Sequence, residues 1–328
     1  MKRLSPLQSS ILKGAAALLS PAGRRASLLV LMYHRVLPEP DPLLPDEPDA
    51  TRFTAQMLVV RDLFQVMDLA DAVARLGAGQ LPARAVAITF DDGYLNNVRI
   101  AAPILSELGL TATCFVATGF MDGSAMWNDT VIEALRRAPE QLDLREFGLS
   151  EYFLPDVAAR RRAVDDLLGK LKYLEPRARL ERTEAIAARV GGAATERLMM
   201  GESDVRHLAT MGMSVGAHST SHPILTRLPD DAARREIVDS KQRLEAVLRV
   251  PIRTFAYPNG RPGQDYDRRH VEMVRSAGFD AAVSTAWGAA AGNCDPLQIP
   301  RVAPWDESAF KYGLRMLRSF QQRMPRAV

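Results

Sequence analysis

Short apolar runs recur along the chain, and their length is typical of buried strands. They predict strands over residues 28–32, 86–90, 113–117, 214–217, 254–257 and 281–284. Amphipathic segments lie between these runs and predict helices over residues 97–108, 204–211, 230–248 and 266–276. Strands that alternate with helices indicate a parallel sheet, either open or closed into a barrel.

The alternation breaks between residues 127 and 200, where arginine-rich helical sequence dominates. We interpret 127–200 as an inserted helical subdomain within a catalytic domain that spans residues 27–320. A basic, amphipathic leader (1–26) precedes this domain and a short tail (321–328) follows it. The acidic, proline-rich stretch at 38–48 predicts a long loop after the first strand.

The overall composition is that of a soluble globular protein, with 47% hydrophobic and 25% charged residues. A length of 328 residues is normal for a single α/β barrel. The net charge of +3 gives no reason to propose a nucleic-acid partner. Two cysteines in a chain of this size do not form a disulfide scaffold, so we expect a reducing compartment.

The first 38 residues contain basic side chains but no acidic ones. This segment predicts either peripheral contact with an anionic membrane surface, on the inner face, or a loosely packed leading helix. Lys13 interrupts its apolar stretch, and residues 21–25 are a poor cleavage context for a signal peptide. We therefore expect a cytoplasmic protein, with membrane association left open.

Two carboxylates, Asp91 and Asp92, directly follow the apolar run at 86–90. Adjacent carboxylates raise each other's pKa unless a cation or a shared proton relieves the repulsion. The close histidine pair His218 and His222 follows another predicted strand. Because functional residues of α/β barrels gather where strands end, these groups predict a metal site. Two histidines and one carboxylate would leave coordination positions for water and substrate.

The segments Thr89–Gly93 (TFDDG) and His218–His222 (HSTSH) together resemble the first two signature motifs of the polysaccharide deacetylases, carbohydrate esterase family four, also called the NodB homology domain. The resemblance extends over residues 28–125 and 205–304. It implies an α/β fold, a distorted (β/α) barrel with fewer than eight complete units. It also implies metal-dependent removal of N-acetyl groups from amino sugars.

The family motifs, carried over residue by residue, imply distinct roles for the two carboxylates. Asp92, His218 and His222 would bind a divalent metal, with zinc as the expected ion. Asp91 would be the general base that deprotonates water held by the metal. This agrees with the chemistry, because zinc lowers the pKa of bound water to about 7.

The third family motif is only partly present. In the segment 255–260 the proline and glycine match, which would place an oxyanion-binding N–H at Asn259. The usual arginine, which steadies the catalytic carboxylate, is replaced by Ala256. Arg301 could take its place, or it could be a surface salt-bridge residue.

The fifth family motif supplies a histidine as general acid, but here the matching segment is Leu297-Gln298-Ile299 and no histidine follows His270. We expect His270 to be solvent-exposed, because two arginines precede it in a helical segment. His34 ends a strand on the active face and is the better candidate for the acid. A structural role for His34 is the alternative.

These observations favour a hydrolase that acts on an N-acetylated glycan or on its lipid-linked precursor, such as an exopolysaccharide intermediate. Hydrolysis of a non-sugar amide or a formyl group would use the same metal and base. A catalytically silent carbohydrate-binding relative is the rival from another class. The presence of both Asp91 and Asp92 argues against a silent relative, since a binding protein does not need the base.

Overall fold

The computed structural model describes residues 3–192, 197–303, 306, 308–322 and 327–328. The chain divides into two compact units. The first comprises Met1–Glu39, Asp46–Asp122 and Met200–Val328, and the second comprises Pro40–Pro45 and Gly123–Met199. The predicted limits of leader, catalytic domain and tail stay a prediction.

The strands, in chain order, are β1 (Ser27–Tyr33), β2 (Gln65–Val66), β3 (Ala85–Phe90), β4 (Thr113–Val116), β5 (Gln141–Asp143), β6 (Glu151–Phe153), β7 (Ser214–Ala217), β8 (Thr254–Ala256), β9 (Ala281–Trp287), β10 (Ala290–Ala291) and β11 (Ile299–Arg301). The helices are α1 (Pro6–Leu19), α2 (Ala50–Leu63), α3 (Leu69–Gly77), α4 (Ala102–Glu107), α5 (Trp127–Arg137), α6 (Val157–Leu171), α7 (Pro176–Arg189), α8 (Glu202–Thr210), α9 (Asp230–Leu248), α10 (Arg268–Ser276) and α11 (Ala309–Ser319). None of the helices in the described part of the chain is long and apolar enough to cross a membrane.

The sheet of the first unit has the strand order β10-β1-β3-β4-β7-β8-β9-β11, with β2 paired to β3. The end of β11 lies beside β1. There the Val302 N–H donates to the Val30 carbonyl and the Met32 N–H donates to the Val302 carbonyl, both at 2.9 Å. The neighbouring pairs from β1 through β11 are parallel, and only β10 runs antiparallel. The predicted α/β fold, a distorted barrel with fewer than eight units, is confirmed.

Successive residues of the barrel strands belong to different parts of the core, because side chains alternate across a strand. In β1, Leu28 and Val30 join an inner cluster, whereas Leu29 and Leu31 join an outer cluster with the surrounding helices. Helix α3 packs its buried face on the inner cluster. The alternation continues along β3, so Asp91 lies on the same side as the inner residues of that strand.

Helices α2, α3 and α11 were not predicted by the sequence pattern. In α2 the buried face includes the polar Gln56, whose side-chain oxygen accepts a hydrogen bond from the Tyr33 hydroxyl at 3.1 Å. This polar residue obscures the helical period of apolar positions. The predicted helix over 97–108 exists, but its first turn, Asn97–Ala101, is a π-helical turn.

The second unit combines α5, α6 and α7 with the antiparallel pair β5–β6. Its core contains Leu135, Leu167 and Ile186, each fully buried. Arg160 donates to the carbonyls of Leu135 (2.5 Å) and Ala138 (2.8 Å), which lie at the end of α5. These contacts satisfy carbonyls that a helix end leaves without intrahelical partners.

Candidate metal centre and catalytic site

The carboxyl ends of several barrel strands place their polar residues at one mouth of the barrel. His34 follows β1, Asp91 and Asp92 follow β3, and His218 follows β7. The segment that contains Asn259 follows β8. Parallel strands present these ends at one face, which explains how residues far apart in sequence meet.

Asp92, His218 and His222 form a compact cluster of potential metal ligands. The Asp92 Oδ1 atom lies 3.4 Å from His218 Nε2 and 3.3 Å from His222 Nε2. The three candidate ligand atoms all lie within 4.8 Å of one another. Asp92 Oδ1 is buried and has no hydrogen-bond partner among the described residues. One carboxylate oxygen and two imidazole nitrogens are donors that suit zinc, so the residues fit a divalent metal.

The orientation of His218 is fixed by a backbone carbonyl. Its Nδ1–H donates to the Ala256 carbonyl at 2.7 Å, and the ring is 1% exposed. A carbonyl oxygen can only accept, so this bond places a proton on Nδ1, and Nε2 is the ring nitrogen that faces Asp92. Metal-binding histidines commonly donate their second nitrogen in this way.

The charges of the cluster affect its proton affinities. Burial would raise the pKa of Asp92, but the neighbouring His222 and His218 outweigh it and hold the pKa below its usual range. Burial lowers the pKa of His222 to about 4, against the attraction of Asp92. Asp92 is therefore ionised and His222 neutral at neutral pH, which are the forms that bind a metal.

The loop with the two histidines adopts an uncommon backbone conformation. Ser219 and His222 have φ angles of 61° and 53°, and Asp92 has a φ of 73°. Positive φ is uncommon for residues other than glycine and persists where neighbouring contacts hold it. Here the Glu236 carboxylate on α9 accepts the N–H groups of Thr220 and Ser221, both at 2.8 Å. The Ser221 hydroxyl also donates to Glu236, at 2.6 Å.

Asp91 is held by Arg301 rather than by the histidine cluster. Arg301 Nη1 and Nη2 donate to the two Asp91 oxygens at 2.6 and 2.7 Å. Arg301 also donates to Thr89 Oγ1 at 3.2 Å and to the Ser284 carbonyl at 3.0 Å. Burial would raise the pKa of Asp91, but the Arg301 guanidinium outweighs it, so the pKa is lowered.

Arg301 is only 1% exposed, so the alternative of a surface salt-bridge residue is wrong. Its guanidinium lies 5.9 Å from the centre of the Phe115 ring in the inner cluster. The Phe115 ring has room there because position 216 is glycine, where a Cβ atom would lie 2.5 Å from the ring. Packing inside the barrel thus supports the arginine that holds Asp91.

His34 is half-buried at the end of β1. Burial would lower its pKa, but the charges of Asp92, Asp91 and Glu47 outweigh it, and the pKa is raised. This favours the protonated ring. His270, in contrast, is fully buried, so the expectation of solvent exposure was wrong. The reason is local, because the Nδ1 atom of His270 accepts the Asp267 N–H at the start of α10.

Asn259 lies in the turn after β8 with a φ of 59°. Its carbonyl accepts the Thr285 hydroxyl at 2.8 Å. Its own N–H donates to none of the residues that the structure describes. This leaves an N–H available for a ligand.

Sequence reasoning missed Glu236 and Glu47. Glu236 stands in a predicted helix among other charged residues, where nothing marks it as a partner of the histidine loop. Glu47 lies in the acidic stretch after β1, where its Oε2 atom accepts the Arg35 N–H at 3.2 Å. No local sequence signal separates Glu47 from the neighbouring acids.

A family model described as "Polysaccharide deacetylase" matches residues 78–147 and 175–282, together more than half of the chain. YxkH of Bacillus subtilis (strain 168), named as a candidate polysaccharide deacetylase, is 21% identical over 279 residues. That alignment covers 84% of this chain and 71% of YxkH.

Solved structures show the same fold at low sequence identity. Streptococcus pyogenes deacetylase PplD, in complex with acetate, aligns with a TM-score of 0.61 at 18% identity, covering 89% of this chain and 98% of PplD. IcaB from Ammonifex degensii aligns with a TM-score of 0.56 at 19% identity, covering 91% of this chain and 98% of IcaB.

Proposed function

The chain belongs to the polysaccharide deacetylase family, and from this premise we propose that it is a metal-dependent hydrolase that removes N-acetyl groups from amino sugars. The substrate would be a polysaccharide, an oligosaccharide or a lipid-linked glycan precursor. The observation that carries the proposal is the contrast between two adjacent carboxylates. Asp92 faces two histidine nitrogens, whereas Asp91 is paired with Arg301.

Asp92, His218 and His222 would hold the metal, with zinc as the expected ion. A divalent metal at this site would polarise the acetamide carbonyl and acidify a water molecule. The protein prepares the ligands for this by keeping Asp92 ionised and by directing His218 Nε2 toward it.

Asp91 would accept the proton of the attacking water. The Arg301 pair lowers its pKa, so the carboxylate is ionised at neutral pH and both oxygens have a fixed orientation. A base of low pKa is effective only toward an acidified water, which agrees with a metal site beside it. The water oxygen then bonds to the acetamide carbon.

Asn259 and His34 would complete the reaction. The Asn259 N–H is available to stabilise the negative charge that develops on the carbonyl oxygen. His34, with its raised pKa, would donate a proton to the sugar nitrogen as the C–N bond breaks. The products are acetate and a free amine.

The test is a metal-reconstitution assay. The protein is stripped of metal, reloaded with zinc, and incubated with N-acetylated oligosaccharides and lipid-linked sugars. Mass spectrometry then measures acetyl loss. Release from an amino sugar only with metal supports the proposal. Turnover confined to N-formyl compounds or non-sugar amides would show that the substrate is not an N-acetylated sugar. Glycan binding without turnover would indicate a catalytically silent relative.

The role of His34 has its own test. We expect His34→Ala to slow deacetylation while metal content stays the same, because His34 is outside the ligand cluster. Turnover at the wild-type rate would remove His34 from the mechanism.

A further inference from the structure

The outer face of α1 carries large apolar side chains that nothing in the described part of the chain covers. Leu7, Ile11 and Leu18 are 71%, 60% and 85% exposed. Their spacing of four and seven residues places all three on one side of the helix. This stripe is independent of the catalytic residues.

The opposite face fixes α1 to the first unit. Leu12 and Ala16 are buried in its main core cluster. Leu12 packs so close to α11 that a Cβ atom at Gly313 would lie 3.1 Å from Leu12 Cδ1. A capping box between Ser5 and Gln8 starts the helix. The helix is therefore preformed, with its apolar outer stripe presented to the surroundings.

Basic side chains occur in the same N-terminal segment as the stripe. Arg3, Lys13, Arg24 and Arg25 are exposed and form no ion pair with a described residue. No acidic residue occurs before Glu39. Lys2 lies outside the described residues. The segment before Glu39 therefore carries charge of one sign, although the chain as a whole carries only +3.

We propose that α1 binds the surface of an anionic lipid bilayer through its outer apolar face, defined by Leu7, Ile11 and Leu18. The exposed cations of the same N-terminal segment, Arg3, Lys13, Arg24 and Arg25, would add electrostatic attraction to the bilayer. An apolar stripe with flanking cations is the pattern by which amphipathic helices lie in the headgroup region. A second copy of this chain fits the surface poorly, because its own cations would face those of the first.

The binding test uses the full chain with two kinds of vesicle. One contains phosphatidylcholine alone and the other contains phosphatidylcholine mixed with phosphatidylglycerol. We expect the protein to co-sediment with the anionic vesicles only, and less so as salt screens the charges. This readout does not depend on deacetylation, so it stands or fails separately from the proposed function.

Two sets of variants separate the apolar contribution from the charge contribution. The triple variant Leu7→Ser, Ile11→Ser and Leu18→Ser removes the stripe. Its control, Phe153→Ser, Leu180→Ser and Val250→Ser, removes three other exposed apolar side chains. We expect at least about tenfold weaker vesicle binding for the first and no change for the control.

The charge variant is Lys13→Glu, Arg24→Glu and Arg25→Glu. Its control, Arg234→Glu, Arg235→Glu and Arg268→Glu, changes the net charge equally at exposed positions elsewhere. We expect only the first to lose binding to anionic vesicles. Circular dichroism checks that each variant is folded.

Three outcomes would overturn the proposal. The first is equal binding to neutral and anionic vesicles. The second is equal loss in the variants and their controls. The third is concentration-dependent self-association that the serine variant abolishes, without vesicle binding, which would assign the face to a contact between copies of the chain.

Discussion

Two regions at the barrel mouth hold their carboxylates in different ways. Asp91 follows directly on β3, and both of its oxygens are paired with the buried Arg301. Asp92 has a left-handed backbone, and its buried Oδ1 atom has no hydrogen-bond partner among the described residues. Its neighbours, His218 and His222, belong to a loop that also contains left-handed residues.

The difference indicates which region depends on a ligand. The polar groups of the Asp91–Arg301 pair satisfy one another within the protein. The Asp92 cluster leaves a buried oxygen unsatisfied, and such atoms are costly in a folded protein. We therefore expect metal to stabilise the second region and to leave the first largely unchanged.

The largest effect is expected from the substitution Asp92→Ala. We expect metal binding to be lost and deacetylation to fall to background, because two histidines alone remain from the cluster. Metal content by elemental analysis and acetate release by enzymatic assay measure the two effects. A variant that keeps one equivalent of metal would contradict the assignment of Asp92 as a ligand.

The substitution at the neighbouring position, Asp91→Asn, should distinguish the roles of the two carboxylates. We expect metal content to stay at the wild-type level while turnover falls by about a thousandfold, within the range for loss of a general base. The same two measurements apply. Normal turnover in this variant would show that another group accepts the proton.

The substitution Arg301→Met tests how much the Asp91–Arg301 pair contributes to the stability of the protein. It leaves the Asp91 carboxylate buried without its partner, so we expect the free energy of unfolding to fall by about 3 kcal/mol. Chemical denaturation measures it at neutral pH. Because the pKa of Asp91 is lowered on folding, the pair stabilises the protein above the ordinary Asp range, and this stabilisation is lost as pH falls through the folded-state pKa.

The double variant Asp91→Asn, Arg301→Met is the matched control. It replaces the buried, unpaired Asp91 carboxylate with a neutral amide, so the double variant should be more stable than Arg301→Met alone. Equal stability of the two would mean that the arginine acts mainly through packing on Phe115.

Local signals predicted a parallel sheet and a candidate metal site, whereas the distorted barrel was implied by the family resemblance. Apolar runs marked the strands, and the polar residues at their ends marked the mouth. The residues that support the site are less predictable. Arg301 reaches Asp91 across 210 positions of sequence, and only the return of β11 to β1 brings them together. Glu236 stabilises the histidine loop from a helix whose exposed charges all look alike in sequence.

The smallest effect is expected from Glu236→Gln, which tests the loop itself. Glutamine keeps the size of the side chain and one oxygen acceptor, but it weakens the bonds to the Thr220 and Ser221 N–H groups. Because the loop positions two of the three proposed ligands, we expect zinc affinity to fall about tenfold, as for other residues that orient ligands. Competition with a zinc chelator measures it.

Asp239→Asn is the matched control for Glu236→Gln, since it removes a carboxylate one turn further along α9, where no hydrogen bond to the histidine loop is described. With saturating zinc, Glu236→Gln should recover most of its turnover, whereas Asp91→Asn should not. Recovery of this kind would show that the loop acts through ligand geometry, and that the strand-end carboxylate acts in the reaction itself. A Glu236→Gln protein with unchanged zinc affinity would show instead that the left-handed residues hold the loop without the helix.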